Sequence, residues 1–178
     1  MDERTRLQEA HFKVEGFPWP LYALWDENGR LLRLSFGGER PALGPLERHL
    51  GPWDLQPAPA SLVSGLQGLL EAYFVRRTRE LPYPLRPLGT PFERQVWRAL
   101  LQVPYGETRT YAWLARQIGR PRAARAVGQA LGKNPLPLFF PCHRIVAVKG
   151  RGGFSGGLAI KEFLLRLEGG GPFPASRI

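Results

Sequence analysis

The sequence predicts an α/β N-terminal domain, in which a hairpin-containing sheet packs with a helix, and a mainly α-helical C-terminal domain with a helix-turn-helix. Three observations predict this fold. A proline cluster at residues 81–87 breaks any helix that enters it and is typical of a linker. A strand-turn-strand pattern and one helical stripe precede the cluster, whereas helical patterns dominate after it. The chain has 178 residues, and we place the domains at residues 1–88 and 89–178.

The N-terminal part combines a predicted hairpin with a predicted helix. Two apolar runs, 21–25 and 31–36, flank Asn28-Gly29, a pair that tolerates positive φ in a tight turn. Apolar side chains then recur at three- and four-residue spacing, which lines one face of a helix. This stripe comprises Leu62, Leu66, Leu69, Leu70 and Tyr73. His11 and His49 are isolated from other candidate residues, so we expect neither to be catalytic.

Three helices are predicted in the C-terminal part. The run Thr90-Pro91-Phe92-Glu93 places a hydroxyl cap, a proline and a glutamate where a helix start favours them. The apolar face of this helix comprises Phe92, Val96, Trp97, Leu100 and Leu101. After a turn at 104–106, a second stripe ends at Gly119 and comprises Tyr111, Leu114, Ala115 and Ile118. A third helix follows Pro121 over residues 122–131, so the last two helices resemble a helix-turn-helix.

The charge of the chain is concentrated in its C-terminal part. The formal net charge is +10, from 25 Lys and Arg against 15 Asp and Glu. Residues 1–88 contain eleven acids and eleven bases, whereas residues 89–178 contain four acids and fourteen bases. A general compositional bias toward arginine would spread over both parts. The C-terminal part is therefore expected to hold an anion-binding face.

A single cysteine, Cys142, cannot form an intrachain disulfide. One thiol and three histidines also cannot build the usual cysteine-rich zinc site. We therefore expect a cytoplasmic protein with no metal and no other cofactor. The charged start at residues 1–6 and the lack of an apolar window near the ~18 residues of a membrane span predict no targeting or transmembrane segment.

Cys142 is the candidate nucleophile, because it ends an apolar run directly before His143 and Arg144. A free thiol has a pKa of about 8.5, so a nearby base is needed to raise the thiolate fraction at neutral pH. His143 is a candidate for that base. Adjacent side chains often diverge, however, and a buried cysteine is usually inert. The dipeptide alone therefore leaves both a nucleophile and a structural thiol open.

A larger constellation surrounds Cys142 and resembles the O6-alkylguanine-DNA alkyltransferases, also called methylated-DNA-protein-cysteine methyltransferases. The resemblance covers residues 89–169. It is carried by Arg125, Asn134-Pro135, Pro141-Cys142-His143-Arg144, the run 154–157, and Lys161 to Glu168-Gly169. It implies DNA repair by direct, stoichiometric and irreversible transfer of the alkyl group from O6-methylguanine to Cys142, in a single turnover.

The resemblance also implies a catalytic role for five residues. Cys142 matches the alkyl acceptor, and His143 matches the residue that takes the thiol proton through a bound water. Glu168 matches the acid that holds this histidine, and Asn134 matches the residue that supports the active-site turn. Tyr111 matches the phenol that donates to guanine N3 as the purine leaves. Without the resemblance, Glu168 fits a solvated residue at a helix end, Asn134 fits a helix cap, and Tyr111 fits a core aromatic.

DNA binding is implied through the minor groove, with the damaged base flipped out of the duplex. Arg125 matches the side chain that fills the vacated stack, and small residues on the same helix let its backbone approach DNA. The predicted DNA-binding residues are Arg122, Ala123, Ala124, Arg125, Ala126, Gly128, Lys133 and Arg144. From spacing alone, the alanines serve equally well as helix formers.

The implied substrate pocket comprises Leu131, Ile145, Phe154, Ser155 and Lys161. The backbone carbonyls of Cys142 and Ile145 are expected to accept from the guanine amine, and the Ser155 amide is expected to face O6. Lys161 either fixes the pocket loop or is an ordinary exposed lysine. Phe154 replaces a tyrosine of many relatives, Leu131 replaces a methionine of some, and the loop 148–153 is one residue shorter than in some. These departures bear on which alkyl groups fit.

The expected partner is double-stranded DNA containing O6-alkylguanine, with no membrane association and a monomeric chain. The main alternative is a non-catalytic alkylated-DNA sensor of the alkyltransferase-like class, in which the cysteine is replaced; Cys142 argues against it. A fused transcriptional activator would need a cysteine-rich zinc domain. A cysteine hydrolase would share the Cys-His pair but has no need of a basic half.

Overall fold

The computed structural model describes residues 4–149 and 152–169. The chain divides into two compact units, Met1–Gly89 and Thr90–Ile178. In the first unit, a mixed four-stranded sheet has the order β3-β2-β1-β4, with β4 parallel to β1 and the other pairs antiparallel. Its strands are β1 (Thr5–Val14), β2 (Phe17–Asp26), β3 (Leu31–Phe36) and β4 (Trp53–Pro57). Helix α1 (Glu47–Leu50) precedes β4, and helix α2 (Ala60–Phe74) follows it and packs against β1.

The predicted hairpin and the predicted helix are both present in this unit. The turn at Asn28-Gly29 joins β2 to β3, and Gly29 has a φ of +74°. The fully buried Asp26 accepts hydrogen bonds from two amides of the turn, each at 3.0 Å. Arg86 of the proline cluster reaches the same carboxylate at 3.3 Å, and Leu85 forms a bridge with Leu31. The proline cluster is therefore held against the end of β3 and is not a free linker.

Strands β1 and β4 were not predicted from the sequence. In β1 only Leu7 and Val14 are buried, and β4 is an edge strand with no buried residue. Edge and half-exposed strands show only a weak alternation of apolar and polar residues, because few of their side chains enter the core.

In the described residues of the second unit there are four helices and a two-stranded parallel ladder. The helices are α3 (Pro91–Ala99), α4 (Tyr111–Gln117), α5 (Ala124–Gly132) and α6 (Leu158–Leu167), and the strands are β5 (Arg109–Thr110) and β6 (Ile145–Val146). Single 3-10 turns occur at Leu100–Gln102 and Cys142–Arg144. Among the described residues, no helix has the length and apolar character needed to cross a membrane.

Helix α3 starts as its sequence predicts. The Thr90 hydroxyl accepts from the Glu93 amide at 3.2 Å, and the Glu93 carboxylate accepts from the Thr90 amide at 2.9 Å. This reciprocal pair satisfies two amides that a helix start leaves unbonded. The expectation that Leu101 belongs to the apolar face is wrong. The chain tightens into a 3-10 turn at Leu100, and Leu101 is 61% exposed.

Helices α4 and α5 pack on each other and position the candidate site. Helix α4 is capped by Thr110, whose hydroxyl accepts from the Trp113 amide at 3.1 Å. Helix α5 begins at Ala124, two residues later than expected. The Ala123 amide donates to the Arg120 carbonyl at 2.9 Å, so residues 120–123 form a turn before the helix starts. The Trp97 indole donates to the Ala130 carbonyl at 2.8 Å, which ties α3 to α5.

Candidate active site around Cys142

A cavity of about 300 Å³ opens beside the lone cysteine. Its lining residues come from α4, from α5, from the 3-10 turn of Cys142 and from the loop before α6. They are Tyr111, Gly128, Leu131, Gly132, Cys142, Gly153, Phe154 and Ser155. The fold thus brings six of the predicted site residues to one cavity: Tyr111, Gly128, Leu131, Cys142, Phe154 and Ser155.

A second, larger cleft of about 420 Å³ lies beside α3 and contains none of the predicted site residues. Arginine, glutamine and apolar side chains line it, including Arg94, Arg98 and Gln117. These groups can bind but offer no nucleophile and no base at neutral pH. The smaller cavity is therefore the candidate active site.

The turn that carries Cys142 is held by Asn134. The Asn134 amide nitrogen donates to the Phe140 carbonyl at 2.9 Å, and its oxygen accepts from the Leu136 amide at 3.0 Å. Cys142 is 5% exposed. Burial raises the pKa of its thiol to about 11, although the Asn134 side chain and the Lys161 charge oppose the rise. The resting group is therefore a thiol, and reaction requires a base that removes its proton.

His143 and Glu168 form a buried pair behind the thiol. The Nε2 atom of His143 lies 2.8 Å from Glu168 Oε1, and the histidine is fully buried. Burial by itself would raise the pKa of Glu168, but His143 and Arg144 outweigh it and hold that pKa far below its usual range. Glu168 is therefore a carboxylate, so Nε2 carries the proton that it accepts. Within the described residues, His143 Nδ1 is buried without a hydrogen-bond partner, which leaves it able to take a proton.

Arg144 is buried and completes this pair. Its Nε and Nη2 atoms donate to the two oxygens of Glu168 at 2.9 and 2.8 Å, and its Nη1 donates to the Val103 carbonyl at 2.8 Å. The side chain is 10% exposed. The prediction that Arg144 binds DNA is wrong. Its guanidinium nitrogens donate to a buried carboxylate and to a buried carbonyl, so they have no exposed surface with which to contact a phosphate.

Lys161 is buried, which excludes the exposed-lysine alternative. It is 1% exposed, and its Nζ donates to the carbonyls of Ile145 at 2.6 Å and Gly153 at 3.1 Å. Burial lowers the pKa of this ammonium to about 8, and the neighbouring Cys142 opposes part of this change. Lys161 therefore ties the loop in front of the cavity to the strand that follows Cys142.

Comparisons with known proteins agree with this geometry. Residues 91–170 match the family described as 6-O-methylguanine DNA methyltransferase, DNA binding domain. The chain is 50% identical over 101 residues to the methylated-DNA–protein-cysteine methyltransferase of Methanosarcina acetivorans, which covers 56% of this chain and 65% of that protein. The crystal structure of the Mycobacterium tuberculosis O6-methylguanine methyltransferase aligns at 36% identity and a TM-score of 0.74 over 96% of both chains.

The chain belongs to the O6-methylguanine DNA methyltransferase family. The family that the sequence resembles is thereby confirmed. A structure of the Mycobacterium tuberculosis protein in complex with DNA also aligns, at 36% identity and a TM-score of 0.72, over 92% of both chains.

In this methyltransferase fold, two cationic side chains lie at the start of α5, one just before the helix and one in its first turn. Arg122 and Arg125 are exposed, whereas the small residues between and after them are half-buried: Ala123, Ala124, Ala126 and Gly128. Lys133 is largely exposed, and its Nζ lies 3.2 Å from Glu93. The described acids do not neutralise the two arginines, since neither forms an ion pair in the described part of the chain.

Several residues of the methyltransferase site were not found from the sequence. The Gly106 amide donates to Glu168 at 3.4 Å, and the Val103 carbonyl accepts from Arg144. Gly132 and Gly153 line the cavity. The only sequence signal was the turn at 104–106, which gave no hint of its partner 62 residues away. Gly150 and Arg151, in the loop expected to be short, lie outside the described residues.

The described part of the chain contains no group of three or more His, Cys, Asp or Glu side chains arranged to hold a metal ion.

Proposed function

We propose that this chain repairs DNA by transferring the alkyl group of O6-alkylguanine to Cys142. The observation that carries the proposal is the arrangement of a cavity-lining thiol, an imidazole with a free Nδ1, and a carboxylate held ionised behind it. Membership of the methyltransferase family supports the same reaction. Solved relatives include one in complex with DNA, which supports DNA as the partner.

The proton of the thiol passes to His143. A water on the unpaired Nδ1 atom relays the proton, since a buried polar nitrogen without a partner is the usual site of an ordered water. The imidazolium that forms is stabilised by the Glu168 carboxylate at 2.8 Å, as in a serine triad. Arg144 keeps this carboxylate oriented through its two hydrogen bonds.

The Cys142 thiolate then attacks the alkyl carbon. A sulfur–carbon bond forms, the carbon–O6 bond breaks, and its electron pair stays on the guanine. Tyr111 at the cavity wall donates a hydrogen bond to N3 and stabilises the charge that develops on the purine. The Cys142 and Ile145 carbonyls accept from the guanine amine, and the Ser155 amide faces O6. Because a thioether is a poor leaving group, each molecule reacts once.

Access to a base in duplex DNA requires that the nucleotide be flipped out, at a cost of a few kcal/mol. Helices α4 and α5 form the helix-turn-helix, and α5 enters the minor groove with its small residues against the backbone. Arg125, exposed on α5, fills the vacated stack. Residues 89–178 thus form the domain for DNA binding and alkyl transfer, and residues 1–88 form the α/β domain.

A cytoplasmic monomer is part of this proposal. A reactive thiol as the single cysteine of the chain functions in a reducing compartment. The non-catalytic sensor is not favoured, because Cys142 is present and lines the cavity.

The proposal is tested by measuring how much of the damaged DNA is repaired. A duplex whose restriction site is blocked by one O6-methylguanine is incubated with increasing amounts of protein, and the restored cleavage is measured. Repair that plateaus at one lesion per protein molecule supports the proposal. Repair that continues beyond one equivalent, or repair by Cys142→Ala, contradicts it. Tighter binding to the lesion without restored cleavage would indicate the sensor instead.

A further inference from the structure

Gly152 brings the loop before α6 into unusually close approach with Tyr111. Its φ is +69°, in the left-handed region that side chains rarely adopt. A Cβ at this position would lie 2.8 Å from the Tyr111 hydroxyl oxygen and 3.2 Å from the Ala147 amide nitrogen. Because 2.8 Å is well inside the usual separation of a carbon from a non-bonded atom, only glycine allows this approach.

The next residue, Gly153, is held by a buried lysine. Its carbonyl accepts from Lys161 Nζ at 3.1 Å, and the same ammonium donates to the Ile145 carbonyl at 2.6 Å. The loop therefore connects the phenol to the strand that directly follows the Cys142 turn.

The close approach of Gly152 limits where the phenol ring can lie. A Cβ at position 152 would also lie 3.2 Å from Tyr111 Cε2, so a methyl group there would displace the ring together with its hydroxyl. Because Tyr111 lines the cavity, such a displacement would change the point at which the hydroxyl meets the substrate. Burial also raises the pKa of Tyr111, which keeps its proton in place near neutral pH.

We propose that Gly152 is a positioning residue for alkyl transfer: its missing side chain leaves room for the Tyr111 hydroxyl at the place from which the phenol donates to N3 of the departing purine. This inference rests on the proposed function and adds to it a residue that touches no reacting atom. The proton of the phenol forms a hydrogen bond to N3 while the carbon–O6 electron pair moves onto the guanine.

The test compares Gly152→Ala with Gly37→Ala in single-turnover methyl transfer. Gly37 is the matched control, because it also has a positive φ, of +88°, but a Cβ there meets no described atom within 4 Å. Each variant reacts with a duplex containing O6-methylguanine and with one containing O6-methyl-3-deazaguanine, in which a C–H group replaces N3. We expect Gly152→Ala to slow the first reaction roughly tenfold, as for a displaced catalytic group, and to leave the second nearly unchanged. Gly37→Ala should leave both unchanged.

A second arm uses Tyr111→Phe, which removes the hydroxyl that the new methyl group would meet. Adding Gly152→Ala to this variant should cause little further slowing. If Gly152→Ala lowers the melting temperature, Tyr111→Phe should recover part of the loss, and no recovery would contradict the contact.

Equal slowing of Gly152→Ala on both substrates would overturn the inference, because the loop would then act only on the general structure of the site. A wild-type rate for Gly152→Ala would overturn it as well. Either result, with transfer by the wild-type chain, leaves the proposed function standing. No methyl transfer by the wild-type chain would overturn both.

Discussion

Replacing Glu168 with glutamine removes the charge behind His143 and keeps the shape of the side chain. Glu168 accepts from His143 Nε2 and from two nitrogens of Arg144, all within 2.9 Å. The amide of a glutamine has one acceptor oxygen and places an NH₂ group against one of these donors. The variant therefore loses the charged partner of the imidazolium and at least one hydrogen bond.

The magnitude follows from the hydrogen bond that is lost. A hydrogen bond to a charged group contributes about 1.5–3 kcal/mol. Since about 1.4 kcal/mol corresponds to a factor of ten in rate, we expect methyl transfer by Glu168→Gln to slow by roughly 10- to 100-fold. The folded state should also lose about 3–5 kcal/mol, because Arg144 remains buried without its carboxylate.

The assay is single-turnover methyl transfer as a function of pH, combined with thermal unfolding. The control is Glu107→Gln, which removes a half-exposed carboxylate paired with Arg109 at the surface and should change little. A Glu168→Gln rate within twofold of wild type, with an unchanged pH profile, would refute the reasoning.

Unfolding also provides a pH test with a defined sign. The pKa of Glu168 is lowered in the folded chain, so its contribution to stability is complete above the unfolded pKa of about 4.3 and is lost as the pH falls toward the folded value. The difference in melting temperature between wild type and Glu168→Gln should therefore shrink below about pH 4. A difference that grows on acidification would contradict this assignment.

The remaining predictions concern the phenol of Tyr111, the exposed Arg125 and the buried Arg144. Tyr111→Phe should slow methyl transfer by about 100-fold or more, as for loss of a positioned proton donor, with lesion-free DNA affinity unchanged; equal losses in rate and affinity would contradict this. Arg125→Ala should slow repair of duplex DNA far more than reaction with the free base O6-methylguanine, because only the duplex needs flipping; equal slowing would count against the role. Arg144→Met should lower the melting temperature yet leave the salt dependence of DNA binding unchanged, whereas loss of about one unit of slope would place Arg144 on a phosphate.

Local sequence signals predicted the elements whose determinants lie within one segment. The start of α3 depends on Thr90 and Glu93, three residues apart, and the hairpin depends on Asn28-Gly29 between its own strands. Helix α2 followed from one apolar stripe. Strand β4 has no buried residue, so nothing in its composition distinguishes it from a loop.

The site depends on contacts between distant segments, which composition and spacing do not encode. Glu168 meets His143 across 25 residues, and only the family resemblance connected them. Arg144 was wrongly predicted to bind DNA because an arginine in a basic segment is usually at the surface. In the structure it is buried and donates hydrogen bonds to the Glu168 carboxylate. Gly152 lies in a loop and Tyr111 lies at the start of α4, and no sequence pattern links these two positions.

The most direct test of the account is the mass of the intact protein after incubation with a duplex bearing one O6-methylguanine. Alkyl transfer predicts a gain of one methylene per chain that maps to the peptide containing Cys142 and that is absent with unmodified duplex or with Cys142→Ala. An unchanged mass, or a methyl group on any other residue, would contradict the central claim.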